Sequence, residues 1–231
     1  KRKGTEFDLS LYSAKLGVDI FYRRTGNDYR IHKADGFDDV PDNYSESFDG
    51  LKVDIKGLNA FYVFNYRRFS YPAAFSQSTN QRRSAGSMIA GFSISTHHLN
   101  FDPTKLPQTI QESLNEDMRV EHIKYTNISL TLGYAYNWVF ARNWLACLSL
   151  TPAIAYKTSR IEKVQTETND WYQNFNIDFI LRAGVVYNNS KYFAGTSFVG
   201  RTYDYYRNNF SLNNGFGTLQ VYAGFNFYLK K

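Results

Sequence analysis

Apolar and polar side chains alternate with a period of two along most of the chain. From Ile128 to Phe140, large apolar residues occupy every second position, and small or polar residues from Asn127 to Asn137 occupy the positions between them. Such alternate positions point to opposite faces of a β-sheet. The pattern predicts an all-β chain. The strands placed by this alternation are 51–66, 84–101, 121–141, 143–163, 174–189, 192–207 and 210–229.

The polar face of these strands is unusual for a water-soluble sheet. It carries mainly Gly, Ala, Ser, Thr and Asn, such as Thr131 and Ser149, with few long charged side chains. Small polar groups inside and large apolar groups outside are what a transmembrane β-barrel needs, because lipid surrounds the outer face. We therefore expect an antiparallel transmembrane β-barrel, in a single domain over 1–231, that is embedded in a lipid bilayer.

The lengths of the connections predict an orientation. Outer-membrane barrels have short periplasmic turns and longer outer loops. The connections 141–143 and 188–191 are short, whereas 102–120 and 164–173 are long. If the last strand ends in the periplasm, the short connections lie on the periplasmic side and the long ones outside.

The first segment changes the phase of the alternation. Its apolar residues occupy odd positions before Ser13 and even positions after Leu16. A hairpin of strands 4–12 and 15–24 explains this and gives nine strands. Because bacterial barrels have even strand numbers, nine strands imply that N-terminal strands are missing. The alternative is one strand with a bulge near Ser13, which gives a complete eight-stranded barrel.

Composition and charge exclude several other classes. The chain has 231 residues with 18% aromatic residues, which argues against disorder. Cys147 is the single cysteine, so neither a disulfide framework nor a cysteine-based metal site is expected. No run of apolar residues is long enough for a transmembrane helix, and the chain does not open with a signal peptide. The net charge of +6 is scattered, so we expect no nucleic-acid partner.

The connection from Arg67 to Arg83 is too long for its side of the barrel. It has a local charge of +4, with no acidic residue, and it contains closely spaced aromatic rings. We expect Phe69 or Tyr71 to insert into the mouth of the lumen, and Arg82 or Arg83 to meet a carboxylate. The connection is a structural cap, a docking surface for a periplasmic protein, or a site for a ligand or lipid headgroup. Its candidate residues are Arg67, Arg68, Phe69, Ser70, Tyr71, Gln77, Gln81, Arg82 and Arg83.

Several polar residues within the strands are predicted to face the lumen. Buried charges must be paired or solvated. Since Asp178 and Arg182 lie about 13 Å apart on one strand, each needs partners on neighbouring strands, and Arg201 is within reach. We expect a lumen network of Asp19, His97, Asn127, Asp178, Arg182 and Arg201.

No motif for catalysis, a cofactor or a metal ion is found. His97 follows Ser95, but no nucleophile motif surrounds it, so we assign no catalytic residue, cofactor or metal ligand. The loop 25–50 has seven acidic and two basic residues, without EF-hand spacing, and is predicted to be a solvated surface loop. A short surface helix is predicted within 104–114.

The segment 61–87, FYVFNYRRFSYPAAFSQSTNQRRSAGS, resembles the signature of a Bacteroidota family that is catalogued as a domain of unknown function and presumed to be an outer-membrane barrel. The segments 133–139 and 143–145 and Pro152 resemble its later strands. The resemblance extends from about residue 5 to the end. It implies the outer membrane of a Gram-negative bacterium and twelve strands in the full-length protein, but no activity.

These observations favour a structural or interaction subunit of an envelope complex, with other outer-membrane or periplasmic proteins as partners. The alternatives are a narrow pore for small solutes and an outer-membrane enzyme that modifies lipids. Inward-facing aromatic residues such as Phe21 and Phe61 would narrow a channel.

Overall fold

The computed structural model describes residues 4–25, 29–31, 46–105, 122–160, 175–207 and 210–226, and its main feature is a curled antiparallel sheet. Its strands are β1 (Thr5–Tyr12), β2 (Leu16–Arg24), β3 (Tyr29–Ile31), β4 (Glu46–Phe48), β5 (Leu51–Val63), β6 (Ala85–Phe101), β7 (His122–Ala141), β8 (Trp144–Arg160), β9 (Phe175–Asn188), β10 (Tyr192–Arg207) and β11 (Phe210–Phe225). The helix α1 (Tyr71–Phe75) lies between β5 and β6, and a 3-10 turn spans Pro103–Lys105. Among the described residues, no helix is both long and apolar enough to cross a bilayer.

Nine strands form the main sheet, in the order β1-β2-β5-β6-β7-β8-β9-β10-β11. The prediction of nine antiparallel strands is confirmed, and the alternative of eight strands is wrong. β1 and β2 pair from Thr5 with Arg24 to Tyr12 with Gly17, and a backbone hydrogen bond from Ser13 to Leu16 closes their turn at 2.8 Å. The phase change in the sequence therefore marks a hairpin.

The sheet curls so far that distant strands meet across its inner face. Arg182 on β9 contacts Asp19 on β2, although β2 and β9 are not neighbours in the sheet. The edge strands β1 and β11 share no ladder among the described residues, but the Thr218 hydroxyl donates to the Glu6 carboxylate. Because nine consecutive strands alternate in direction, β1 and β11 run the same way, so they cannot close the sheet as an antiparallel pair.

The two faces of the sheet have opposite polarity. On the outer face, Leu130, Leu148 and Val221 are 69%, 61% and 81% exposed. Ser149 and Thr151 alternate with these apolar residues on the inner face, where they are buried. Ile177 and Phe179 on β9 are likewise exposed in the isolated chain, at 60% and 43%.

The interior also contains apolar clusters. Phe21, Val53, Ile55, Leu99 and Tyr125 form a cluster at the end of the sheet where β5 begins and β6 ends. A second cluster forms around Tyr71 at the opposite end, beneath the connection between β5 and β6. Asn59 on β5, which pairs with Asp19 on β2, lies between the two clusters, since Ile55 belongs to the first and Phe61 to the second.

The structure corrects two details of the predicted elements. The strand predicted at 51–66 ends at Val63, because the chain turns there toward α1. The loop 25–50 contains a small β3–β4 ladder that the alternation did not indicate. A 3-10 turn spans Pro103–Lys105, and the rest of the helix predicted within 104–114, like the loop 164–173, lies outside the described residues.

Gly133 on β7 sits where two strands approach closely. A Cβ atom at this position would lie 2.3 Å from the Leu150 carbonyl oxygen and 2.6 Å from the Thr151 Cα. We expect Gly133→Ala to lower the free energy of unfolding by about 1–3 kcal/mol, because two backbones must separate. Equilibrium urea unfolding, followed by tryptophan fluorescence, measures this.

Gly215→Ala is the matched control, since the nearest atoms to its added Cβ lie 3.8 and 4.0 Å away. It is expected to change the free energy of unfolding by no more than about 0.5 kcal/mol. Equal losses in the two variants would contradict the close approach at Gly133.

Candidate functional site

The connection 67–83, called here the cap segment, folds over one end of the curled sheet. Ser70 is the N-cap of its helix α1: the Ser70 hydroxyl accepts a hydrogen bond from the Ala73 amide at 3.2 Å, and Pro72 lies in the first turn. Both features favour a helix start. The helix ends at Phe75 with Ser76 as its C-cap, and Gln77 then turns the chain with a φ of 58°. Local sequence signals thus form a compact element within a long connection.

Aromatic rings anchor the cap segment in the interior. The Tyr71 ring centroid lies 5.0 Å from that of Phe61, 5.3 Å from that of Phe69 and 5.9 Å from that of Tyr12. Its hydroxyl shares a 2.7 Å hydrogen bond with Ser149 on β8. Burial raises the pKa of this phenol, so it stays protonated. Phe69 and Tyr71 are both buried in the interior of the curled sheet, so the expectation that one of these rings inserts there is confirmed.

Asn137 on β7 fastens the cap segment to one side of the sheet. Its side-chain amide donates to the Ser70 carbonyl at 2.9 Å and to Gln81 Oε1 at 2.7 Å. The same Gln81 oxygen accepts from the Ser70 amide at 2.8 Å. One buried asparagine therefore connects the beginning and the end of the cap segment.

Further hydrogen bonds fasten the cap segment to the opposite side. Gln77 donates to the Tyr222 hydroxyl on β11 at 2.8 Å. Asn80 donates to the Asn188 carbonyl at 2.8 Å, at the turn between β9 and β10. The cap segment therefore lies at the same end of the sheet as the turns 141–143 and 188–191, as predicted.

Asn137→Ala is expected to lower the free energy of unfolding by about 1–3 kcal/mol, because it leaves buried acceptors on the cap segment without their donor. Urea unfolding of the variant measures this loss. Asn226→Ala removes a more exposed amide that donates to the Ser190 carbonyl at 2.9 Å, and we expect it to have a smaller effect. A loss at Asn137 no larger than that at Asn226 would contradict the fastening role.

The four arginines of the cap segment point away from the interior. Arg67, Arg68, Arg82 and Arg83 are exposed. Neither Arg82 nor Arg83 has a carboxylate partner among the residues that the structure describes. The expectation of such an ion pair is wrong, because the aromatic and amide side chains of the cap segment take the inward positions.

Asp19 is the centre of the charged network in the interior. Its carboxylate accepts from Ser10 at 2.8 Å, from Tyr12 at 2.9 Å and from Asn59 at 2.9 Å. The Arg182 guanidinium lies 2.5 Å away, and that of Arg201 lies 3.7 Å away. The network thus connects β1, β2 and β5 with β9 and β10 across the interior.

Aromatic rings support the same two arginines. The Arg182 guanidinium lies 5.2 Å from the centroid of the Phe61 ring. The Arg201 guanidinium lies 4.5 Å from the centroid of the Phe21 ring. Contacts of this kind stabilise desolvated cations. The interior residues therefore hold two arginines in fixed positions.

A second ion pair involves a residue that was not among the predicted site residues. Lys157 Nζ lies 3.4 Å from Asp178 Oδ1, and Asn127 donates to Asp178 Oδ2 at 2.8 Å. Asp178 is thus paired away from Arg182, and Arg201 turns to Asp19 instead. The alternation of β8 places Lys157 on the inner face, which is the sequence signal for its role.

His97 belongs to the interior near the other end of the sheet. Its Nε2 lies 2.9 Å from the Ser95 hydroxyl. Its ring stacks on the Tyr125 ring, with the two ring centroids 4.4 Å apart. Ser95 and His97 are 2% and 0% exposed. A nucleophile must reach its substrate, so this buried pair is a packed polar contact of the interior.

One family model matches residues 1–227, nearly the whole chain, and its description is "Domain of unknown function (DUF4421)". The chain belongs to this family. The match is consistent with the expected membership of an uncharacterised family. Searches of curated proteins and of solved structures found no match.

Proposed function

We propose that this protein is an integral β-barrel of the outer membrane of a Gram-negative bacterium and acts as a structural or interaction subunit of the cell envelope. The observation that carries the proposal is the polarity of the sheet, with large apolar side chains outside and polar side chains inside. A bilayer is the environment in which this polarity is stable.

Exposed apolar area supports the membrane part of the proposal. Apolar residues cover the outer face from β1, with Leu9 and Leu11, to β11, with Leu219 and Val221. Soluble monomers rarely expose contiguous apolar patches larger than a few hundred Å². Removing such apolar area from water stabilises the folded protein by roughly 25 cal/mol per Å². Lipid contact supplies this stabilisation around the whole outer face at once.

The filled interior favours an interaction role over solute transport. The cap segment closes one end, and the Arg182–Asp19 ion pair crosses the space beneath it. The cavity beside that ion pair has a volume of only about 10 Å³, and it is lined by Asn59, Phe61, Tyr71, Ile89, Thr131, Thr151, Ile180 and Arg182. A continuous pore would need these side chains to move aside.

Membrane extraction and electrophoresis test the proposal. We expect the protein to stay in the membrane fraction after washing with alkaline carbonate or urea, and to migrate faster on a gel before heating than after it. Planar bilayers that contain the purified protein are expected to show no steady conductance. Release by carbonate without detergent would contradict the membrane barrel, whereas steady conductance would favour the narrow pore.

A further inference from the structure

At the capped end of the sheet, every connection between the described strands carries positive charge. These connections are 13–15, 64–84, 142–143 and 189–191, and they contain no aspartate or glutamate. Their basic residues are all exposed. We call them the basic collar: Lys15, Arg67, Arg68, Arg82, Arg83, Arg142 and Lys191.

The charge at the other end of the molecule has the opposite sign. The connection 25–50, between β2 and β5, contains seven acidic and two basic residues. The two ends of the sheet therefore differ strongly in local charge. A surface with one sign of charge attracts partners of the opposite sign.

Exposed aromatic rings lie beside the basic collar on the outer face. Two collar cations also lie near the half-buried ring of Tyr66: Lys15 Nζ is 4.9 Å from the ring centroid, and the Arg67 guanidinium is 5.9 Å from it. Lys191 Nζ lies 5.3 Å from the Tyr192 ring. The rings of this band are exposed, and they belong to Tyr62, Phe64, Trp138, Phe140, Trp144 and Tyr192.

This arrangement favours a lipid surface over a single protein partner. The cations occur on all four connections, so they surround the end of the sheet instead of forming one patch. Interfacial aromatic rings lie at the level of lipid headgroups, which places the collar against the phosphate groups. Arginine guanidinium groups bind phosphate oxygens in a bidentate geometry.

We propose that the basic collar binds the phosphate groups of anionic phospholipids in the leaflet at the capped end. This inference rests on the proposed membrane barrel and adds a lipid specificity to it. The collar orients the barrel in the bilayer, and its arginines hold acidic headgroups around the cap segment.

Lipid retention in native mass spectrometry tests the proposal. The protein is reconstituted in phosphatidylcholine bilayers that contain phosphatidylglycerol and is then released in mild detergent. We expect it to retain phosphatidylglycerol in preference to phosphatidylcholine. Each cation near an anionic surface contributes about a fivefold change in affinity. The preference of R67Q/R68Q/R82Q/R83Q for phosphatidylglycerol should therefore be at least about tenfold lower than that of the wild type.

The matched control removes four exposed lysines from the other end of the sheet, in K52Q/K56Q/K105Q/K124Q. Its preference for phosphatidylglycerol is expected to equal that of the wild type. A parallel measurement needs no variant, since added salt screens exposed charges and should lower the preference of the wild-type protein.

Several results would overturn the inference. The wild type could show no preference for phosphatidylglycerol, or both quadruple variants could lose that preference equally. The third such result is a preference that added salt does not lower. An acidic protein that is lost from the R67Q/R68Q/R82Q/R83Q complex, while lipid retention is unchanged, would assign the collar to protein docking. Failure of the wild type to enter bilayers would instead contradict the proposed membrane barrel.

Discussion

Replacing Asp19 with Asn is expected to lower the free energy of unfolding by about 3–5 kcal/mol, the range found when one partner of a buried ion pair is removed. The carboxylate is buried and lies 2.5 Å from Arg182 and 3.7 Å from Arg201. Without it, two guanidinium groups remain buried beside a neutral side chain. Equilibrium urea unfolding in lipid–detergent mixtures measures the loss.

Asp54→Asn provides the control for this substitution. Asp54 pairs with Arg24 at 3.0 Å, but the Arg24 side chain is 64% exposed. Ion pairs in such positions contribute about 0–1 kcal/mol. Equal losses of unfolding free energy for Asp19→Asn and Asp54→Asn would show that the interior network is well solvated. They would contradict its role in stabilising the contact between opposite sides of the sheet.

Tyr71→Ala is expected to have the other large effect, about 3–5 kcal/mol, the range for deleting a buried aromatic ring. The variant loses the ring contacts with Phe61, Phe69 and Tyr12 and the hydrogen bond to Ser149. Because this ring anchors the cap segment, we also expect the interior to open. Conductance of planar bilayers is then expected for Tyr71→Ala and not for the wild type.

Two variants separate the causes of the Tyr71 effect. Tyr71→Phe keeps the ring and is expected to lose only about 1 kcal/mol for the hydrogen bond, with the interior closed. Tyr192→Ala removes an exposed ring at the same end and is expected to keep the interior closed. A Tyr71→Ala variant with wild-type stability would contradict the anchoring role of the ring.

The sequence predicted most of the main sheet because its signal is local. Strict alternation, as from Ile128 to Phe140, determines which side chains share a face, and this needs no knowledge of other strands. The phase change around Ser13 was sufficient to indicate the β1–β2 hairpin. The short β3–β4 ladder was missed, because three-residue strands carry too few alternating positions to be distinguished from loop.

The partners of the buried charges were harder to predict. Alternation placed Asp19, Asp178 and Arg182 on the inner face, but the curl of the sheet decides which of them meet. Asp178 pairs with Lys157, whereas Arg182 reaches across to Asp19. Such contacts join residues far apart in the sequence, so the spacing along one strand does not reveal them.

The cap segment illustrates the same limit. Its aromatic residues correctly predicted an ordered element that enters the interior, because burying rings is favourable whatever the details of the contact. The prediction for Arg82 and Arg83 was wrong, since interior polar positions at that end are occupied by Asn137, Gln77 and Gln81 instead.

Contact between lipid and the outer face is the central claim, and fluorescence quenching by brominated phosphatidylcholine measures it most directly. In a background with Trp138, Trp144 and Trp171 replaced by Phe, a single tryptophan is placed at Leu130, at Leu148 or, as an aqueous control, at exposed Asp49. We predict strong quenching by brominated lipid at Leu130 and Leu148, and quenching by aqueous acrylamide alone at Asp49. Folded protein in which Leu130→Trp and Leu148→Trp are not quenched by brominated lipid would contradict the account.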